Sequence, residues 1–329
     1  MRSGPGHSRR GFLRGMGGLG LAGALGGCAT SYPSLRLTVA TGPRTALYYS
    51  VGSALAAAWG DELRPDAPVT VRETAGSVDN LQLLAGRGAD VAFGQIVAFS
   101  QIDVAAEQLA GTSATDPAAP RALARIYDDF LHIVVPATSD VRSLQALRGR
   151  RVSVGLPNSG VYFVAKRVLQ AVGISATDGV SPAYLGLDES ARALREGRID
   201  AFFWSGGLPT GPITDLAAAM PIRLVDIQEE QPRVRAVYPV YAPGTVPAGT
   251  YGSTKAVNTL FVRNVLVVRA EMPEPLAHDL ARTLFQRQAQ IAAASPAALK
   301  IDPRSAIGTE PLPLHPGAER WFREARDGA

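Results

Sequence analysis

Cysteine is nearly absent from this 329-residue chain: Cys28 stands alone, which leaves neither an internal disulfide nor a thiol nucleophile. Histidine is scarce too. His7, His132, His278 and His315 are far apart, and no two have the spacing of metal ligands. No serine sits in a G-x-S-x-G elbow. The chain therefore shows no machinery for a hydrolase or a metalloenzyme, and we expect no enzymatic activity, no metal and no cofactor. Lysine occurs only as Lys166, Lys255 and Lys300, too dispersed for a polybasic membrane tether. The net charge of +4 is matched by Arg2, Arg9, Arg10 and Arg14 in an acid-free stretch of 27 residues, so the remainder is neutral. A nucleic-acid partner, which needs a basic patch on the folded part, is not expected. Long apolar runs are also missing. The longest near the amino terminus, Gly15 to Gly27, has 13 residues and much glycine. That is short of the roughly 20 needed to span a bilayer.

What the amino terminus does contain is an address. A basic stretch followed by a short apolar one has the order of a signal peptide, here residues 1–27. Ser8-Arg9-Arg10-Gly11-Phe12-Leu13-Arg14 resembles a twin-arginine export signal, and Leu25-Gly26-Gly27-Cys28 resembles a bacterial lipobox, whose cysteine is acylated. The expectation is an extracytoplasmic protein held to a membrane by lipid on Cys28, with residues 28–34 as linker. Gly15, Gly17 and Gly20 match the spacing of a dinucleotide-binding turn, but no strand precedes them and they lie inside the signal.

Beyond the linker, two stretches share one layout. Leu35 to Ala40 alternates like a strand, Thr41 to Thr45 breaks it, and Leu47, Val51, Leu55 and Ala58 recur at helical spacing. Arg151 to Gly155, a loop from Leu156 to Gly160, and Val161, Val164, Val168 and Val172 repeat that order. A second pair also corresponds. Leu81 to Phe93 and Ala191 to Phe203 each read as helix, Gly-Arg, Asp, then apolar strand, with Gly86 and Gly197 suited to the left-handed position after a helix. Such units build parallel α/β sheets, in which ligands sit beyond the carboxyl ends of strands, against helix N-termini. Two alike units imply two lobes and a cleft. Ser77, Asn158 and Ser159 stand at helix starts as caps or ligand donors.

Gly76-Ser77-Val78-Asp79-Asn80, with Leu81 to Asp90 and Gln95, resembles the TAXI family of extracytoplasmic receptors for TRAP transporters. Four more segments agree in order: Tyr48-Tyr49 with Gly52, Leu147 to Gly155, Glu189 to Phe203 continuing to Pro209, and Leu314 to Ala318. The resemblance implies a two-lobe, type II periplasmic-binding fold. Lobe 1 would comprise residues 35–138 and 229–329 and lobe 2 residues 139–228, with crossings near Pro136–Asp140 and Ile227–Tyr238. It implies capture of a small carboxylate-bearing solute of the glutamate, glutamine or 2-oxoacid class, delivered to a TRAP membrane subunit. The other function considered is a stand-alone sensor on the same fold, signalling to a membrane partner. Carried over by position, the ligand contacts are Tyr48, Ser77, Asn80, Gln95, Ser159 and the Ser205–Gly207 turn, including Gly206. Asn158 and Arg44 join the candidates from their places beside the cleft.

Each assignment has a plainer reading. Tyr48 and Tyr49 are consecutive on a helix, so one packs and the other faces the cleft. Capping accounts for Ser77 and Asn80 as well as ligand contact does, and the two roles are compatible. Gln95 ends an apolar strand, where it meets either water or solute. Arg44 either lies solvated in its loop or grips a carboxylate with two hydrogen bonds. Where the family has glycines before the tyrosines this chain has Pro43-Arg44-Thr45-Ala46, and Val161-Tyr162-Phe163 replace its polar residues after Gly160.

Overall fold

A computed structural model describes residues 31–99 and 116–328. The expected signal peptide, its arginine pair and Cys28 lie outside the described residues. All that follows concerns the compact unit Ser31–Ala329.

The first unit runs β1 (Thr38–Ala40), α1 (Leu47–Leu63), β2 (Thr70–Arg72), α2 (Ser77–Ala85) and β3 (Val91–Gln95). A long strand, β4 (Pro120–Pro136), follows. The second unit is β5 (Arg151–Ser153), α3 (Gly160–Ala171), β6 (Ser181–Ala183), α4 (Leu187–Arg195) and β7 (Ala201–Gly206). Then come α5 (Gly211–Ala219), β8 (Ile222–Leu224), α6 (Gln231–Val237), β9 (Ala242–Val246), β10 (Val257–Arg269) and α7 (Glu274–Gln286).

The sheet has the order β2-β1-β3-β10-β4-β7-β5-β6. Its two ends mirror each other. In each, the first strand of a unit lies between the second and the third, all parallel, and a long strand runs antiparallel beside the third. The long strands β4 and β10 pair with each other along their lengths, from Phe130 opposite Phe261 to Pro120 opposite Arg269, with register breaks around Asn264 and after Leu266. Such breaks bend a strand and raise its local twist.

Burial follows the expected periodicity. Val51, Leu55, Ala58 and Trp59 of α1 are fully covered and pack with Leu276, Leu280 and Leu284 of α7. The Trp59 indole N–H, buried there, donates to the Leu280 carbonyl at 3.1 Å. Gly52 sits where a β-carbon would collide with Thr41 and come within 3.2 Å of Phe93, so α1 seats tightly against the ends of β1 and β3. That contact sets Tyr48, one turn earlier, over Phe93 at 5.0 Å between ring centroids.

Two details differ from the sequence reading. Gly86 has φ −80°, and Arg87 takes the left-handed conformation with φ 58°. The Gly88 N–H still closes onto the Leu83 carbonyl at 2.7 Å, so the helix end keeps its hydrogen bonds while the positive φ moves one residue on. Gly197 does adopt φ 68°. Second, β7 continues to Gly206, so Ser205 and Gly206 belong to a strand rather than to a turn.

Candidate functional site

The first turns of four helices converge on one partly open cavity. Ala46 to Tyr48 of α1, Gly76 and Ser77 of α2, Ser159 to Val161 of α3, and Gly186 and Leu187 of α4 all line it. Each begins just after a strand of its unit, as the parallel-sheet geometry requires. The first N–H groups of a helix have no partner within it and carry a partial positive charge. The cavity measures about 60 Å³. Space of that size holds on the order of four or five water molecules, so it suits a compact solute and not an oligosaccharide.

The two units meet closely here. Gly76 has φ 122°, a region that glycine alone adopts without strain, and a β-carbon on it would lie 3.8 Å from the Gly160 nitrogen. The Asp79 N–H donates to the Asn158 carbonyl at 3.2 Å, joining the start of α2 to the loop before α3. A β-carbon on Gly160 would run into Gln95 and stand 2.9 Å from Ser77 Oγ.

The floor of the cavity is polar and buried. Gln95, at the end of β3, donates through Nε2 to Ser205 Oγ at 2.8 Å and to Asp129 Oδ2 at 3.0 Å. Its own N–H donates to Ser77 Oγ at 3.1 Å. The Tyr48 hydroxyl donates to Asn264 Oδ1 and lies 3.4 Å from Ser77 Oγ. Four buried atoms in this cluster have no partner: Gln95 Oε1, Asp129 Oδ1, Asn264 Nδ2 and the Tyr127 hydroxyl. Buried polar atoms are nearly always paired, and Gln95 and Asp129 line the cavity, so their two oxygens are placed to be completed by a donor bound there. Burial raises the Asp129 carboxyl from its ordinary value to about 7, against the pull of the Gln95, Asn264 and Ser205 side chains beside it. Burial likewise pushes the Tyr48 and Tyr127 hydroxyls well above their usual range. Among the described residues, neither lysine nor arginine lines the cavity.

Of the residues singled out by sequence, Tyr48, Ser77, Gln95, Ser159, Ser205 and Gly206 come together around this space. Ser159 is also the N-cap of α3, accepting from the Tyr162 N–H at 3.2 Å. Three others stand elsewhere. Asn80 is buried behind the wall, where its amide spans the Thr41 and Phe93 carbonyls and accepts from Thr74 Oγ1 at 2.6 Å. Asn158 is exposed, and only its carbonyl takes part, through Asp79. Arg44 faces outward, paired with Glu73 at 2.9 Å, bonded to the Tyr49 hydroxyl at 2.7 Å and lying over that ring. Sequence reasoning missed Asp129, Asn264 and Tyr127. A local signal was present: Asp129 precedes the apolar pair Phe130-Leu131, and Asn264 precedes the apolar run Val265 to Val268.

Among the described residues no helix is long and apolar enough to cross a membrane, and no group of three or more histidine, cysteine, aspartate or glutamate side chains could hold a metal ion.

Several solved structures are similar to this chain. XAC2383 from Xanthomonas citri bound to ATP matches with TM-score 0.51 and 16% identity, over 89% of this chain and 96% of that one. The periplasmic aliphatic sulphonate binding protein SsuA from Escherichia coli matches with TM-score 0.45 and 14% identity, over 89% and 83%. The GluR0 ligand-binding core in complex with L-glutamate matches with TM-score 0.48 and 11% identity, over 81% and 98%. At 16% identity and a TM-score of 0.51, the first of these speaks to the fold alone, the mixed α/β, type II periplasmic-binding architecture that the strand order describes. A family model matches residues 39–325, nearly the whole described chain, and on that match the protein belongs to the NMT1-like family.

Proposed function

We propose that this protein is an extracytoplasmic solute receptor and not an enzyme. It captures a small carboxylate-bearing solute of the glutamate, glutamine or 2-oxoacid class between two closing lobes. One observation carries the reading: four helix N-termini open into a single cavity with apolar walls and a polar floor. Free N–H groups and the positive ends of helix dipoles suit an anion without any cationic side chain. The grip therefore falls to backbone rather than to Arg44, whose guanidinium is occupied at the surface. The lobe division we propose follows the long strands, which are the crossings, at Asp129 of β4 and Asn264 of β10. The Tyr238 hydroxyl donates to Gln170 Oε1 of α3 at 3.2 Å, and Gln231 Nε2 donates to the Thr259 carbonyl of β10. That supports residues 229–262 joining lobe 2 and not lobe 1.

A thermal-shift and calorimetry series of dicarboxylates, amino acids and 2-oxoacids against matched neutral sugars tests the reading. At about 100 times its dissociation constant a bound acid stabilises the fold by about 2.7 kcal/mol. Stabilisation by sugars and by none of the acids would overturn it. The partner, by resemblance in sequence, is a TRAP membrane subunit. Vesicles carrying that subunit should take up the bound acid on an ion gradient, and an absolute need for ATP would remove this partner. The lipid anchor on Cys28 predicts that the exported protein sediments with membranes and that Cys28→Ala is released. A variant retained through a carbonate wash would end the anchor reading.

A further inference from the structure

A carboxyl group stands on the floor of a cavity whose walls suit an anion. Asp129 lies midway along β4, opposite Val262 of β10, and is 3% exposed. Its Oδ2 accepts from Gln95 Nε2 at 3.0 Å and lies 3.5 Å from Ser205 Oγ, while Oδ1 has no partner. Gln95 also lines the cavity, and its Oε1, lying against Gly160, is a second free acceptor, because the amide has turned both available donor contacts toward Asp129 and Ser205. Two buried unpartnered oxygens, one of them on an ionisable group, therefore belong to residues that line a space with no lysine or arginine around it. Buried acceptors of this kind are costly until a donor meets them. A simple anion would supply none.

We propose that Asp129 is a specificity-determining residue which, together with Gln95 Oε1, receives a hydrogen-bond-donating group of the solute, an ammonium foremost. The preferred solute then carries an amine as well as an acid, and the site discriminates against oxoacids of the same skeleton. This rests on the acid-binding reading above and narrows it. The acid end meets the helix N-termini and the amine meets the floor, so one solute touches strands β3 and β4 and the starts of helices from both units. The charge environment agrees. Asp128, the nearest acid, is held by Arg125 at 2.7 Å, and the hydroxyls facing Asp129 belong to Tyr48, Tyr127 and Ser205. With its carboxyl raised to about 7, Asp129 keeps its proton in mildly acidic solution. An arriving ammonium replaces that proton, so affinity for amines rises with pH up to about 7 and binding below it releases a proton.

Calorimetry of the exported protein with matched pairs decides the matter: L-glutamate with 2-oxoglutarate, L-alanine with pyruvate, and L-leucine with 4-methyl-2-oxopentanoate. For at least one pair the amino acid should bind about tenfold or more tightly, the span of one charge-assisted hydrogen bond. Asp129→Asn should collapse that preference. Should the variant not fold, the wild type still answers through proton release, read as a dependence of binding heat on buffer ionisation at pH 6. Equal affinity within every pair, or an oxoacid preferred, overturns the role of Asp129 and leaves the acid receptor standing. Binding of sugars with no acid in either column overturns both.

Discussion

At the residue scale, two buried ionisable groups on one strand pull stability in opposite directions with pH. Asp129 is raised from 3.8 to about 7 by burial, so between those values the folded state holds a proton that the unfolded state has released. Its contribution falls as pH rises across that window. At about 1.4 kcal/mol per pH unit, the loss is on the order of 4 kcal/mol. His132 is lowered from 6.5 to about 4 by burial, and its ring lies 3.1 Å from the Tyr251 hydroxyl. Here the unfolded state binds the extra proton, so stability rises with pH between 4 and 6.5. The two slopes partly cancel in the wild type. Asp129→Asn removes one of them. Urea unfolding at pH 4 and at pH 7.5 should show the variant gaining stability relative to wild type at the higher pH. Parallel pH profiles for the two proteins would refute the buried, proton-holding carboxyl. Asp129 could be seen in the sequence as an acid before an apolar pair, but its burial could not, because that depends on β10 and β7 closing over both sides of β4.

At the element scale, the sequence was most informative where one periodicity decided the outcome. Helices α1 and α3 appear where Leu47, Val51, Leu55 and Ala58 and where Val161, Val164 and Val168 predict them. Caps were read less well. Ser159 caps α3 with its side chain, but α2 begins at a glycine with φ 122° and no side-chain cap. Ser77, one residue inside, spends its hydroxyl on Gln95 and Tyr48 instead. A serine at a helix start has the same local pattern in either role. Only the strand packed behind it selects between them. Gly86 and Gly197 illustrate the same limit, since identical Gly-Arg pairs end two helices with the positive φ on Arg87 in one and on Gly197 in the other.

For the whole molecule, the two long strands decide how the halves are joined. Both run through the centre of the sheet, and the register break at Asn264 lies beside the polar floor. Hinges usually fall where a few residues absorb the change in backbone angles. Closure is therefore expected about Asp128–Asp129 and Arg263–Asn264, with the cavity shut when the Asp79–Asn158 and Gln95–Ser205 bonds form. Small-angle scattering with a saturating amino acid should give a smaller radius of gyration than the free protein. Superimposable curves would exclude a closing cleft. The segment near Ile227–Tyr238, expected from sequence to be a crossing, holds α6, whose Val234 is buried, and we propose that the bend lies in the long strands instead.

By itself the sequence determined the local alphabet: two repeated strand–loop–helix units, their helical periods, and polar residues waiting at strand ends and helix starts. These are matters of period and turn chemistry, which neighbouring residues settle among themselves. Tertiary structure decided which polar groups share a space. Asp129 and Asn264 reach the site only because β4 and β10 lie side by side in the sheet, more than a hundred residues apart in the chain. It also turned Arg44 away, since Glu73 and Tyr49 offer the guanidinium a surface partner within reach. Charge and hydrogen-bonding capacity are written in the residue. Which of several partners satisfies them depends on distance, and distance is set by the fold.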